Sequence, residues 1–288
     1  MQVSYNEPMK NHTSFKVGGF ADIFIEPDNT EELVEAIKDL RKDNTPYYIM
    51  GNGSNLLVSD KGFRGAIVKI GENIGNVNID GEKVTAESGV LLSVLSKIAA
   101  KNNLAGMEFA SGIPGALGGA ITMNAGAYGG EMKDIIGWVE LLDEELALKR
   151  LQNSEMKFGY RKSIVEPGKH IVVRCCLNLK KGNPEEIDRI MTELTEKRKS
   201  KQPIHMPSAG STFKRPEGYF AGKLIEDAGL KGFELGGAQV SPLHCGFVVN
   251  TGNATAQDVY ELIRHVQKTV YEKFDVKLEP EVKILGEF

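Results

Sequence analysis

The sequence predicts a protein of mixed helices and strands built around a glycine-lined ligand cradle, and three observations carry that expectation. Strand-like runs and amphipathic helices succeed one another without an internal repeat or a low-complexity tract. The length, 288 residues, calls for two or three cores of about 100 residues each. Residues 106–130, GMEFASGIPGALGGAITMNAGAYGG, hold 8 glycines in 25 positions, where the overall 32 in 288 would give about 3. A missing Cβ lets backbone N–H groups approach a flat or phosphorylated ligand. Glycine in an ordinary helix or strand costs about 0.5–1 kcal/mol relative to alanine, so such density needs a reason. A cofactor of dinucleotide size supplies one; a run of turns packed for shape alone is the alternative.

The elements follow from local signals. ADIFIE at 21–26 has the branched and aromatic content of a strand, which Pro27 stops. Asn29 or Thr30 caps a helix in which Leu33, Ile37 and Leu40 recur at helical spacing, with acids early and bases late as the helix dipole favours. Residues 47–50 form a strand that runs into GNGSN and then the apolar LLV. Ligands gather beyond strand C-termini in sheets of this kind, so GNGSN is a second place for a phosphate. It lacks the third glycine and following helix of a dinucleotide fingerprint, and alone it reads as a turn. Short strands follow at 66–70, 77–79 and 84–87, then a helix at 91–100. Ile113-Pro114-Gly115 suits a turn into a short helix whose first N–H groups face a pyrophosphate. Residues 138–142 and 146–151 form a hairpin, and 170–179 a buried strand.

Asn183-Pro184 starts a long helix running towards Lys201, and QPIHMPSAGS after it has the prolines and small residues of a linker. A further region then carries a helix at 219–228 ended by Gly229, strands at 238–241 and 246–250, and a helix to Phe274 opened by a Thr255/Asp258 capping box. LEPEVKILG closes the sequence as a strand by alternation, with Glu281 inside it.

Composition narrows the function. Apolar residues at 41% and charged residues at 26% are those of a soluble globular protein, and no apolar run approaches the roughly 20 residues that span a bilayer. MQVSYNEPMKNHTSF has neither the basic and apolar segments nor the cleavage site of a signal peptide, so a cytoplasmic protein without membrane contact is expected. A net charge of −4 with interspersed signs leaves no footprint for nucleic acid. Cys175, Cys176 and Cys245 lack metal or disulfide spacing, and no histidines form HxxxH, so free thiols and no metal are expected. A small-molecule ligand remains.

Three residues stand out chemically. Ser211 lies in an Ala-Gly-Ser-Thr turn without the GxSxG elbow of a hydrolase, Arg161 in the polar island FGYRKS, and Glu281 in an otherwise apolar strand. On composition alone each also reads as a turn cap, a surface cation or an edge-strand carboxylate.

Six blocks in order carry a resemblance: NHTSFKVGGFADIF, GNGSNLLVSD, GMEFASGIPGALGGAITMNAGAYGGE, FGYRKS, PSAGSTFKRPEGYFAGKLIEDAGLKG and LEPEVKILG. Over nearly its whole length the sequence resembles the UDP-N-acetylenolpyruvoylglucosamine reductase (UDP-N-acetylmuramate dehydrogenase) family. It is similar to the shorter of that family's two classes, since little chain separates FGYRKS from PSAGS to hold the longer class's tyrosine-bearing insertion. The resemblance implies the FAD-binding fold shared with p-cresol methylhydroxylase and vanillyl-alcohol oxidase, with a C-terminal α+β substrate domain. Subdomains at 1–70 and 71–202 would hold the flavin, 203–275 would close over a UDP-sugar, and 276–288 would return to the second subdomain.

Gly51, Asn52, Gly53, Ser54, Asn55, Ser111, Gly112, Ile113, Pro114, Gly115, Gly119 and Asn124 are the implied cofactor residues, the two loops holding the FAD pyrophosphate. No histidine sits in the first loop, so non-covalent FAD is expected. NADPH would reduce it, and hydride would pass from flavin N5 to the vinyl C3 of UDP-N-acetylglucosamine enolpyruvate. Arg161 and a protonated Glu281 would stabilise the charge on C2 and its carboxylate, and Ser211 would protonate C2. Tyr128 and Lys201 match phosphate contacts and His244 a polar substrate contact. Arg215 stands where the longer class has asparagine, and Gly246 where a polar residue is expected. A flavin-dependent sugar or alcohol oxidase of the same fold is the alternative function; no obligate protein partner is implied.

Overall fold

The computed structural model describes residues 1–288. It opens with β1 (Gln2–Pro8), β2 (Phe20–Glu26) and α1 (Thr30–Lys42), then β3 (Tyr47–Met50), β4 (Leu56–Val58) and β5 (Phe63–Lys69). There follow β6 (Val77–Asp80), β7 (Lys83–Glu87), α2 (Leu92–Lys101), β8 (Leu104–Ala105), α3 (Leu117–Thr122), β9 (Gly126–Ala127) and β10 (Gly130–Glu131). Strands β11 (Ile136–Leu142), β12 (Leu148–Gln152), β13 (Ile171–Asn178) and β14 (Lys180–Lys181) precede the long α4 (Pro184–Lys201). The last part comprises α5 (Ala221–Asp227), β15 (Glu234–Leu235), β16 (Ala238–Val240), β17 (Val248–Asn250), α6 (Ala256–Phe274) and β18 (Lys283–Leu285). No helix is long and apolar enough to cross a membrane.

The long helices begin where their caps are. The Asn29 side chain accepts from the Glu32 N–H at 2.9 Å, and that of Asn183 from the Glu185 N–H at 2.8 Å. Thr255 and Asp258 form the expected reciprocal capping box. Each such cap satisfies amides that the first turn leaves without a helical partner.

Packing divides the chain into two units: Met1–Ser4, Ile23–Asn52 and Gly65–Lys197 in the first, Tyr5–Asp22, Gly53–Arg64 and Arg198–Phe288 in the second. The first holds two cores. One gathers Leu33, Ile37 and Leu40 of α1 against Ala66, Val68 and Ile70, where β3 and β5 pair in parallel with Tyr47 opposite Ala66 and Met50 opposite Lys69. The other lies on the five-stranded sheet β12-β11-β13-β7-β6, which buries Val84, Val139, Cys175 and Leu177 against Leu92 and Leu95 of α2 and Leu117 and Ile121 of α3. Full burial of each such leucine or isoleucine stabilises by about 1.5–3 kcal/mol. Met107, Ala110 and Ala125, at the ends of the glycine-rich stretch, belong to this core, so its turns rest on a packed base.

In the second unit α6 turns Val259, Leu262, Ile263, Val266 and Val270 onto the small antiparallel sheet β15-β16-β17. Strand β18 pairs in parallel with β4, Lys283 opposite Leu56 and Leu285 opposite Val58. The Asp60 carboxylate, two residues beyond β4, accepts from the Ala256 and Gln257 amides of α6, each at 2.9 Å. A carboxylate on two N-terminal amides also opposes the positive end of the helix dipole. Asp60→Ala is therefore expected to cost about 1–2 kcal/mol in urea unfolding, the scale of a lost N-cap; an unchanged midpoint would show that water replaces it.

Candidate active site

In the first unit the two glycine-rich loops are tied together. The Asn52 side-chain amide donates to the Pro114 carbonyl at 2.6 Å, and a Cβ added to Gly51 would lie 3.0 Å from that of Ala116. Beside this junction opens a cavity of about 280 Å³ whose wall includes Gly51, Asn52, Gly71, Gly89 and Ala116 together with the Lys69–Glu26 ion pair (2.9 Å). Gly89 cannot be larger, since its Cβ would meet the Gly71 carbonyl oxygen at 1.9 Å.

The rest of the second loop divides between packing and openness. The Ser111 hydroxyl closes its own turn onto the Glu108 carbonyl at 2.8 Å, the Ile113 N–H bonds to Ala110 at 3.0 Å, and the Gly115 carbonyl accepts from Leu92 at 3.0 Å. Gly112 is half-buried. The sequence suggests that the first amides of α3 face a phosphate, but those of Leu117 and Gly118 are spent on the Val90 and Ser88 carbonyls at 2.9 and 2.8 Å. Gly119 is exposed, and a Cβ placed on it would meet nothing within 4 Å. Packing therefore does not demand a glycine there, whereas a ligand lying on the backbone does. The amides of Gly51 and Asn52 likewise donate to no backbone carbonyl. Within the first unit, the bare Gly119 position and the cavity beside Gly51 and Asn52 fit a phosphate-bearing flavin cofactor.

Asn124 is fully buried at a φ of +44°, and its side chain is consumed inside the chain. It donates to Glu131 at 2.9 Å and to the Gly159 carbonyl at 3.0 Å, and accepts from the Lys133 N–H at 2.9 Å. It thus joins the β9–β10 hairpin, whose turn carries the exposed Tyr128, to the FGYRKS turn. In that turn Gly159 and Lys162 pair, and Arg161 takes the third place at a φ of +54°. The left-handed region costs a non-glycine residue roughly 1–3 kcal/mol and recurs where a side chain must be aimed. The Arg161 guanidinium lies 5.0 Å over the Tyr160 ring and 3.4 Å from the Gly126 carbonyl. Glu131 is held below the usual carboxylate range by its ion pair with Lys133, then by Asn124 and the more distant Arg161 charge.

The second unit contains Ser211 and Glu281, and its backbone brings them together. Ser211 is exposed, following Gly210 at a φ of +74°. Its neighbour Thr212 is fully buried. The Thr212 N–H donates to the Gly246 carbonyl at 2.8 Å, and its own carbonyl accepts from the Glu281 N–H at 2.8 Å. Phe213 pairs with Pro280, and Lys214 donates to Glu279 at 2.8 Å. Glu281 thus lies two residues before β18, paired to the Ser211 segment, where alternation alone predicts it inside a strand. Its carbonyl accepts from the Asn55 side chain at 3.0 Å, so the end of GNGSN is fastened to the same place. Gly53, at a φ of +62°, accepts from the Ser14 N–H at 3.2 Å, and Ser54 between them is half-buried.

His244 is half-buried, its Nδ1 accepting from the Gly246 N–H at 3.1 Å, which leaves the neutral ring's proton on Nε2. At Gly246, where a polar residue is expected, a Cβ would come within 2.9 Å of the His244 Cε1. Arg215 is exposed with its guanidinium 4.0 Å over the Phe220 ring, and Lys201 is exposed at the end of α4. The three cysteines are buried free thiols, and no group of three or more His, Cys, Asp or Glu side chains is placed to hold a metal ion. Thr212 is the component that sequence reasoning misses; the turn-forming Ala-Gly-Ser before it hides a buried threonine that only long-range pairing explains.

Comparison with known proteins agrees with both halves. Residues 21–148 match a family model described as an FAD binding domain, and residues 202–285 one described as the C-terminal domain of UDP-N-acetylenolpyruvoylglucosamine reductase. An α+β FAD-binding fold followed by a C-terminal domain is thereby defined, as the sequence predicts. A UDP-N-acetylenolpyruvoylglucosamine reductase of Caldanaerobacter subterraneus is 57% identical over 98% of this chain and 93% of its own, and that of Clostridioides difficile 53% over 99% and 94%. The crystal structure of the Thermus caldophilus reductase is similar with a TM-score of 0.84, 38% identity and coverage of 99% and 98%. The chain belongs to the UDP-N-acetylenolpyruvoylglucosamine reductase family.

Burial holds the His244 pKa below its ordinary 6.5. The unfolded chain therefore takes up a proton first, and the folded state loses stability as pH falls from about 6.5 to the lower folded value. His244→Gln is expected to flatten this part of a stability–pH curve measured by urea unfolding; an unaltered slope between pH 7 and 5 would mean that other groups set it.

Proposed function

We propose that the protein reduces UDP-N-acetylglucosamine enolpyruvate to UDP-N-acetylmuramate with NADPH through non-covalent FAD, a step of peptidoglycan precursor synthesis. The observation that supports this most directly is the placing of Ser211 and Glu281 on segments joined through Thr212, with Asn55 of a cofactor loop fastened to the second. The names of the relatives support the substrate.

Gly51, Asn52, Gly53, Ser54 and Asn55 with Ser111, Gly112, Ile113, Pro114, Gly115 and Gly119 would hold the cofactor, largely through backbone amides, and Asn124 braces the FGYRKS turn. Bound there, FAD would supply the hydride, with NADPH as its reductant. In the substrate the C2–C3 π bond breaks, C3 gains the hydride, and C2 gains a proton. Arg161 and Glu281 present hydrogen-bond donors to the carboxylate on which charge gathers, each such donor contributing about 3 kcal/mol. Strain at Arg161 is consistent with a side chain held where the turn alone would not put it. Ser211 delivers the proton to C2. A hydroxyl is a weak acid, yet an enolate-type carbon is a far stronger base than water at pH 7, and a placed donor contributes roughly 100- to 10,000-fold. Tyr128, Lys201, Arg215 and His244 bind the nucleotide sugar, His244 as a neutral donor of fixed tautomer. Residues 203–275 form the substrate domain.

Ser211→Ala is expected to leave bleaching of the flavin by NADPH within about twofold and to slow its reoxidation by the enolpyruvyl substrate at least about 100-fold, read by stopped-flow absorbance. Equal losses in both half-reactions would remove Ser211 from the proton transfer. Acid precipitation of the purified protein should release all the yellow colour into the supernatant; colour retained in the pellet would contradict non-covalent attachment.

A further inference from the structure

Thr212 connects more of the second unit's site than any residue that the sequence singles out. It is fully buried, and its three polar groups are bonded to two different segments, 246–248 and Glu281. Its amide donates to Gly246 at 2.8 Å, its carbonyl accepts from Glu281 at 2.8 Å, and its hydroxyl accepts from the Val248 N–H at 2.9 Å. The Gly246 peptide in turn holds the His244 ring through its own N–H at 3.1 Å. A buried hydroxyl with a committed partner cannot turn away to water, so the register of Ser211 against Glu281 is fixed on one side by β17 and on the other by the segment before β18.

We propose that Thr212 is the positioning residue of this site: by accepting the Val248 N–H it sets the Ser211 hydroxyl, and with it the Glu281 backbone, where the enolpyruvyl group receives its proton. The inference rests on the reading of Ser211 as proton donor. Misplacement of a reacting group by about 1 Å costs up to 100-fold, so a residue that only aims the donor has a measurable kinetic signature.

Thr212→Val keeps the shape and removes the acceptor, while Thr212→Ser keeps the acceptor. In holoenzyme, Thr212→Val is expected to slow reoxidation by substrate at least about tenfold with reduction by NADPH within about twofold, and Thr212→Ser to stay within about threefold in both. Amide exchange at Val248 should rise about tenfold in the valine variant and not in the serine variant. Should Thr212→Val fail to fold, Thr212→Ala is the substitute, because it removes the same acceptor of the Val248 N–H. It is expected to slow the same half-reaction about tenfold. Wild-type reoxidation in the variant tested, or equal slowing of both half-reactions, overturns the inference while the Ser211 reading stands on the Ser211→Ala result. Reoxidation unslowed in Ser211→Ala overturns both.

Discussion

In the second unit the hydrogen bonds of one buried threonine join the segments that carry Ser211 and Glu281. The Thr212 hydroxyl on Val248 and the Thr212 amide on Gly246 bind the segment carrying Ser211 to the start of β17, between the Ser208–Val249 and Phe213–Pro280 pairings. The carbonyl of the same residue receives Glu281, from a part of the sequence about 70 positions away. Two side chains of opposed chemical character, an alcohol and a carboxyl, are thereby set on neighbouring backbone. The bonds are individually modest, about 1 kcal/mol each, but leaving a buried amide such as that of Val248 unpaired costs about 1–3 kcal/mol, so the three act as a lock.

The first unit solves a different problem, that of presenting backbone to a large flat ligand. It does so by subtraction. At Gly89 the missing Cβ is forced by a neighbouring carbonyl, and at Gly51 it permits contact with Ala116. At Gly119 packing forces nothing, and a ligand lying on the backbone there would meet no side chain. Asn124 and the tie from Asn52 to Pro114 are the rigid counterparts of this openness, since glycine loops without such ties would lose much of their entropy on binding. Arg161 accepts a left-handed backbone at the end of the same network.

Local chemistry explains which parts could be read in the sequence. The helices α1, α4 and α6 carry their own starts in Asn29, Asn183 and Thr255, each a side chain that bonds amides two or three residues on. Elements whose reason lies far away were not legible. Strand β1 reads as polar because most of its side chains are exposed, and the LLV of β4 becomes a strand only by pairing with β18, more than 220 residues later. The strand expected at 246–250 starts at Val248, because residues 244–247 close a turn with the Phe247 N–H on His244 at 3.0 Å. The helix expected from residue 219 starts at Ala221, since Phe220 is extended. Of the site, the glycine loops and the exposed Ser211 announce themselves by composition, whereas Thr212 and the steric demand at Gly246 exist only through partners that folding brings.

The measurement that bears most directly on the central claim is an anaerobic absorbance titration of the purified holoenzyme near 450 nm, adding NADPH and then UDP-N-acetylglucosamine enolpyruvate. Bleaching by NADPH and full recovery on adding the enolpyruvyl sugar, with none in its absence, are the expected result. A flavin that NADPH leaves oxidised, or one that an unrelated sugar reduces and oxygen alone restores at a comparable rate, would contradict it and describe an oxidase instead.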